Sequence, residues 1–300
     1  MLDKTIVIGA LARDCAISIR RNKTRIEQLR ECFKSSYVVI FENDSIDDTK
    51  KVLEEYSNEC NDVIIISKDY YGKYPFSYPI SSEYAGMSCN RIARMVFFRN
   101  QLLEYIRAHF SSDYIAFLDI DIYDFDVDGV VKSIKNAPTD WGALFANGYY
   151  TYKSFSGIRP LTNQYDSYAY LRYNEDCQNL SHRILDKNEQ YKRSIEMSQR
   201  INEADYYLCN SAFGGMAIYK SEVIEDASYK VLVPTDWEQY GTCLCEHVPF
   251  NMHVCDCGYK CYMARNLRVN YGIYELPGLK GILLRLSPSL LHWLSQAKNK

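Results

Sequence analysis

The sequence predicts an α/β fold, a single domain with a mostly parallel, Rossmann-like central sheet flanked by helices, and three observations carry the prediction. Four short apolar runs rich in β-branched and aromatic residues recur along the first 125 residues. Between them lie stretches whose apolar residues repeat at helical spacing. Polar clusters follow three of the runs directly, as they do where a parallel sheet delivers its carboxyl ends to a binding rim.

The first run, "TIVIG" (5–9), is followed by Ala12-Arg13-Asp14 and then by a stretch with Ile19, Ile26, Leu29 and Phe33 on one helical face. The second, "YVVIF" (37–41), leads into Glu42-Asn43-Asp44; Ser45 and Asp48 there suit the cap and first turn of a helix. "DVIIIS" (62–67) is the third. A long helix carrying Ile92, Met95, Val96, Leu102, Leu103 and Ile106 then leads to "YIAFLD" (114–119). Strands alternating with helices imply right-handed crossovers and a parallel sheet. The stretch 148–205 is Tyr-rich and then highly charged, and is expected to leave the sheet as part loop, part exposed helix. Regular structure returns at "FGGMAIYKSEVIE" (213–225). Residues 273–300 form a basic amphipathic tail, interrupted by Pro288, that either packs on its own domain or makes a peripheral contact with an anionic membrane face.

Composition narrows the function. At 47 % hydrophobic and 24 % charged residues, 300 residues suffice for a substantial core. The net charge of −3, with Lys and Arg scattered, argues against a nucleic-acid partner, which needs a concentrated basic face. Neither GxGxxG nor GxxxxGK[ST] occurs, so dinucleotide and P-loop chemistry are not expected. The 27 tyrosines offer flat apolar faces with a hydroxyl, suited to amphiphilic ligands such as sugars, unless they reflect a biased genome. "MLDKTIVIGALARD" enters a strand directly rather than a signal-like segment, so a cytoplasmic location and mostly free thiols are expected for the 11 cysteines. Cys243/Cys245 and Cys255/Cys257 are spaced CxC rather than as the CxxC of zinc sites.

"YIAFLDIDIYDFDVDG" (114–129) places five aspartates behind the fourth run. Carboxylates crowded at the end of a buried strand repel one another and resist desolvation, so they either face water or share a cation. Asp119 and Asp121 sit at the strand's end, Asp126 and Asp128 read as a solvated turn, and Asp124 is a reserve ligand.

This order of strand, polar cluster, helix and DxD resembles the nucleotide-sugar-dependent glycosyltransferases of the GT-A fold, of the family-2-like or capsule mannosyltransferase-like branches. Five stretches carry the resemblance across about residues 5–270: "VIFENDSIDDTKKVL", "FFRNQLLEYIRAHFSSDYIAFLDID", "NQYDSYAYLRYNED", "SAFGGMAIYKSEVIE" and "CEHVPFNMHVCDCGYKCYM". It implies one domain over 1–272, with a nucleotide-sugar-binding half (1–128) and an acceptor-binding half (129–272). It implies a divalent cofactor, Mn²⁺ or Mg²⁺, held by Asp121 and Asp119, which neutralises the departing nucleoside diphosphate. The donor, a UDP- or GDP-sugar, would meet Ala12, Arg13, Glu42, Asp44, Arg99 and Asp119. The glycan or glycolipid acceptor would meet Tyr165, Asp166, Gly214 and Gly215. In inverting relatives a carboxylate of the Glu-Asp pair takes the acceptor's proton; Glu246 matches the Glu and is the expected base, while His247 replaces the Asp and is either base or metal ligand. Glu246 favours inversion, whereas the Tyr-Asp segment points to retention. Two other functions fit less well: a sugar nucleotidyltransferase, for which "GALARDCA" is a poor glycine-rich loop, and a non-catalytic glycan-binding protein, which has no need of Asp119 and Asp121.

Overall fold

A computed structural model describes residues 1–154, 157–235 and 237–275. Residues 273–275 of the expected tail end the strand Lys260–Glu275 instead, because they pair with the sheet, and residues 276–300 lie outside the described residues. The four apolar runs form β1 (Leu2–Ala12), β2 (Phe33–Glu42), β3 (Val63–Ser67) and β4 (Tyr114–Asp119), and all three pairings among them are parallel. Helices α1 (Ala16–Arg30), α2 (Thr49–Glu59) and α3 (Cys89–His109) make the crossovers. Phe33 belongs to β2, not to the helix before it: α1 ends at Arg30, and Phe33 is the first buried residue of the strand.

The short β5 (Asp124–Phe125) and α4 (Val127–Lys135) follow, then β6 (Trp141–Ser154) and β7 (Gly157–Gln164). After β8 (Leu171–Arg172) come α5 (Lys187–Glu203), β9 (Tyr206–Ser211), β10 (Met216–Lys220), α6 (His247–Asp256) and β11 (Lys260–Glu275). The main path of the sheet is β3-β2-β1-β4-β10-β6-β11-β9-β8, with β5 on β11 and β7 on β6. This meets the expected α/β arrangement: the β3–β4 block is parallel, β6 and β11 add a long parallel pair, and β10 runs antiparallel between the two.

The expected excursion at 148–205 does not leave the sheet at once. β6 continues to Ser154 and returns as β7, and the chain departs only at Tyr165. This part of the strand is held by β11, a partner more than 100 residues away, so local apolarity is not what keeps it extended.

Strand alternation splits the core into two faces. Ile6, Ile8, Ile40 and Leu118 pack against α1, α2 and α4, while Val7, Val39, Phe41 and Phe117 pack against α3 and α6. On α3, Ile92, Leu102, Leu103 and Ile106 are buried at helical spacing, and the same face carries Arg99. Ser88 caps this helix by accepting from the Arg91 amide at 3.4 Å. Asn100 clamps the backbone of Tyr229 at both its N–H (2.8 Å) and its C=O (3.0 Å), fixing α3 against the chain that leads to α6.

Candidate active site

The carboxyl ends of β1 and β4, the middle of α3, the turn after β7 and the start of α6 converge on one cleft of about 590 Å³. Ala12 and Arg13 enter from β1, Asp119 and Asp121 from the end of β4, Arg99 from α3, Tyr165 and Asp166 from the turn, and Glu246 and His247 from α6. Residues spread over more than 230 positions thus line one cleft.

The centre of the cleft is a buried ion network. Arg99 Nε lies 3.0 Å from Glu246 Oε1, and its Nη2 lies 3.6 Å from Asp119 Oδ1. Arg99 and Glu246 are each only about 5 % exposed as side chains, whereas Asp119 keeps 21 %. The guanidinium also lies over the rings of Phe213 (5.2 Å) and Tyr229 (5.7 Å). The two neighbouring carboxylates outweigh the desolvation of Arg99 and hold it firmly charged. Burial pushes the Asp119 carboxyl up to about 8; Arg99 opposes the shift, and Asp121, Asp166 and Glu246 add to it. Asp121 is solvent-exposed at the cleft edge, yet the surrounding protein raises its carboxyl too. Asp166 is raised to about 6 by burial and then by repulsion from Glu246.

His247 is 2 % exposed and stacked on Phe213, with ring centroids 3.9 Å apart. Neither ring nitrogen has a hydrogen-bond partner, and burial followed by the nearby Arg99 charge depresses its pKa, leaving the ring neutral. Its Nε2 is 3.8 Å from Glu246 Oε1. Among the described residues, no three His, Cys, Asp or Glu side chains form a group that could hold a metal ion, so His247 does not join Asp119 and Asp121 in a three-ligand set. The pair remains: two carboxylates, both raised by burial and Asp119 further by the Asp121 charge, whose chemistry suits a hard divalent cation with its other positions left to phosphate or water.

The remaining expected residues lie beside the cleft rather than in it. Glu42 is fully buried at the end of β2, accepting from the Ser45 amide at 2.9 Å and from the Ser67 hydroxyl. Asp44, at φ +51°, accepts from the amides of Tyr70 and Tyr71, each at 2.7 Å, and faces an adjacent groove of about 810 Å³ that shares Arg13 and Arg94 with the cleft. Gly214 and Gly215 form the turn before β10. A Cβ on Gly214 would stand 2.4 Å from the Ala146 carbonyl oxygen, and the Gly215 carbonyl accepts from the Asp119 amide at 3.0 Å. Gly215 thus sits beside the end of β4 as its sheet neighbour, and the preceding Phe213 lines the cleft. Asp124 turns away to Arg25 (3.0 Å), and Asp126, read as a solvated acid, caps α4 through the Gly129 amide (3.0 Å).

The cleft also contains residues that no motif marked. Tyr74, Met87 and Tyr271 line it beside Tyr168 of the Tyr-Asp segment, and Tyr271 stacks on Tyr165 with centroids 3.5 Å apart. The excess of tyrosine was the only sequence signal for Tyr74 and Tyr271, and Met87 had none. Arg91 and Arg94, about two turns and one turn before Arg99 on α3, complete the wall.

No family model matches the chain, and no curated protein matches it. Among solved structures it is similar to the mannosyltransferase PcManGT from Pyrobaculum calidifontis, in complex with GDP-Man and Mn²⁺. That likeness has 12 % identity and a TM-score of 0.49, and covers 100 % of this chain and 66 % of the other. It is also similar to residues 1–349 of TarS from S. aureus, at 11 % identity and a TM-score of 0.45, over 90 % of this chain and 60 % of the other. The chain thus spans 60–66 % of the length of these two structures.

Proposed function

We propose that the protein is a metal-dependent glycosyltransferase, moving a sugar from a nucleotide-sugar donor to a hydroxyl of a glycan or glycolipid in the synthesis of a surface polysaccharide or glycoconjugate. The observation that carries this reading is the convergence of the strand-end pair Asp119/Asp121, the end of β1 and the Arg99–Glu246 pair on one cleft. Asp119 and Asp121 would hold Mn²⁺ or Mg²⁺, which supplies charge neutralisation for the departing diphosphate. Ala12 and Arg13 would flank the nucleotide, and Arg13, Arg91 and Arg94 would face its phosphates. Arg99 holds Asp119 in place while balancing Glu246. The aromatic wall of Tyr165, Tyr271 and Phe213 suits the apolar faces of pyranose rings and their hydroxyl rims.

The test is nucleoside diphosphate release from a panel of UDP- and GDP-sugars with Mn²⁺. The expected result is slow hydrolysis of one donor, lost in EDTA and in Asp121→Ala. Absence of release from every donor, together with no Mn²⁺-dependent rise in melting temperature, would falsify the reading.

A further inference from the structure

The cleft contains two carboxylates in addition to the metal-site pair, and they differ in how they are held. Glu246 is committed: Oε1 accepts from Arg99 at 3.0 Å, the Cys245 thiol lies 3.6 Å from Oε2, and the side chain is almost fully buried. A carboxylate locked to a buried guanidinium is a poor proton acceptor, because taking the proton would break the ion pair and leave Arg99 with less compensation. Asp166 has no such partner. Among the described residues no Lys, Arg or His forms an ion pair with it, and it stands outside any group able to hold a metal with Asp119 and Asp121.

The turn that carries Asp166 is pinned on both sides. The Tyr165 amide donates to the Gly148 carbonyl at 2.8 Å, and the Ala169 amide donates to the Asp166 carbonyl at 3.2 Å. Ser167 Oγ bonds Gln190 Oε1 at 2.6 Å, and Ser211 Oγ donates to the Ala169 carbonyl at 2.7 Å. The Tyr168 hydroxyl donates to the Cys243 carbonyl. Asp166 itself sits at φ +68°, a conformation uncommon for a residue with a side chain, though one that Asp tolerates. A strained residue held by five surrounding hydrogen bonds, with its side chain lining the cleft, is a preorganised functional group.

We propose that Asp166, rather than Glu246, is the general base of the transfer reaction. This rests on the glycosyltransferase reading. As the acceptor oxygen attacks the anomeric carbon, its proton passes to an Asp166 carboxylate oxygen. The bond from the anomeric carbon to the diphosphate oxygen breaks, and the electron pair leaves with the nucleoside diphosphate. Asp166 then returns the proton to solvent. Direct attack of this kind inverts the anomeric centre. Glu246 is a positioning residue that keeps Arg99 beside Asp119.

The experiment uses the full chain, with the donor that wild type hydrolyses in the panel above and water as the acceptor. Asp166→Asn preserves shape and tolerates the positive φ; Asp166→Gly is the second variant, since glycine adopts that conformation freely. Both are expected to lose about 100-fold or more in kcat, the usual worth of a general base, while Mn²⁺ and the nucleoside diphosphate still bind within about threefold of wild type by calorimetry. Two results overturn the assignment: variants that keep more than a fifth of the wild-type kcat, or variants that lose Mn²⁺-nucleoside diphosphate binding in parallel with turnover, which would make Asp166 a donor-site ligand. Failure of wild type to cleave any donor is distinguishable from both, and overturns the glycosyltransferase reading and the base assignment with it.

Discussion

Arg99→Met tests the ion network at the centre of the cleft. Arg99 is 5 % exposed and is the partner of Glu246, itself 4 % exposed, at 3.0 Å. Methionine fills much of the volume but leaves Glu246 charged and buried. Removing one partner of a buried pair costs about 3–5 kcal/mol, because the survivor is uncompensated. An unfolding entropy of about 2.1 cal/mol/K per residue, scaled to a chain of this length, converts that loss to a fall in Tm of about 5–8 °C. The companion Arg99→Met/Glu246→Leu replaces both charges with apolar groups and is expected to recover at least half of the loss, since an apolar pair of similar volume is often neutral to stability. Differential scanning calorimetry of wild type, Arg99→Met and the double variant reads all three. A single variant within about 2 °C of wild type, or a double variant no more stable than the single, would refute the claim that Glu246 bears the penalty.

Two further predictions follow from the raised and lowered groups. The Asp119 carboxyl, held at about 8, must lose its proton to bind a cation, so the affinity for Mn²⁺ is expected to fall about tenfold per pH unit below pH 7. Calorimetric titration from pH 6 to 8 checks this: a pH-independent Kd refutes it, and Asp119→Asn should abolish the dependence. Without the cation, the same carboxyl makes folding less favourable as pH rises from the ordinary carboxylate range through about 8. His247 has the opposite sign. It is neutral when folded and titrates near pH 6.5 when unfolded, so below that pH the unfolded chain binds the extra proton. The stability of wild type relative to His247→Phe should therefore fall by about 1.4 kcal/mol per pH unit below 6.5, measured by urea unfolding at pH 7.5, 6 and 5. Parallel stability curves for the two proteins would show that His247 is not held neutral.

The parts of the fold that were legible are those whose pattern is local. β1, β2 and β4 announce themselves as apolar runs because both faces are buried, the edge strand β3 keeps the same β-branched run, and Asp119 and Asp121 are marked by their place at the end of β4. The β6–β7 hairpin was not legible: "GYYTYKS" is polar and aromatic, and its extension depends on pairing with β11. Arg99 and Glu246 could each be named from short motifs, but not their pairing, which joins residues 147 apart. Glu42 and Asp44, expected as ligand contacts, also carry a local role that no motif showed: they accept from Ser45, Ser67, Tyr70 and Tyr71, because a sharp turn leaves its own amides to be satisfied.

The charge distribution gives the cleft a requirement that its own residues do not meet. Four carboxylates, Asp119, Asp121, Asp166 and Glu246, surround a single buried cation, Arg99, and Glu246 takes the closer of its two contacts. Arg13 and Arg91 are exposed, and Arg94, half-buried with an unpartnered Nε, lies over the Tyr74 ring. A divalent cation alone would balance Asp119 and Asp121 but leave these arginines without an anionic partner in the cleft. A diphosphate alone would suit the arginines and be repelled by the acids. On the proposed reading, a nucleoside diphosphate together with a divalent cation held by Asp119 and Asp121 would complement both sets. The consequence is strong positive coupling: Mn²⁺ should tighten nucleoside diphosphate binding, and the nucleoside diphosphate should tighten Mn²⁺ binding by the same factor.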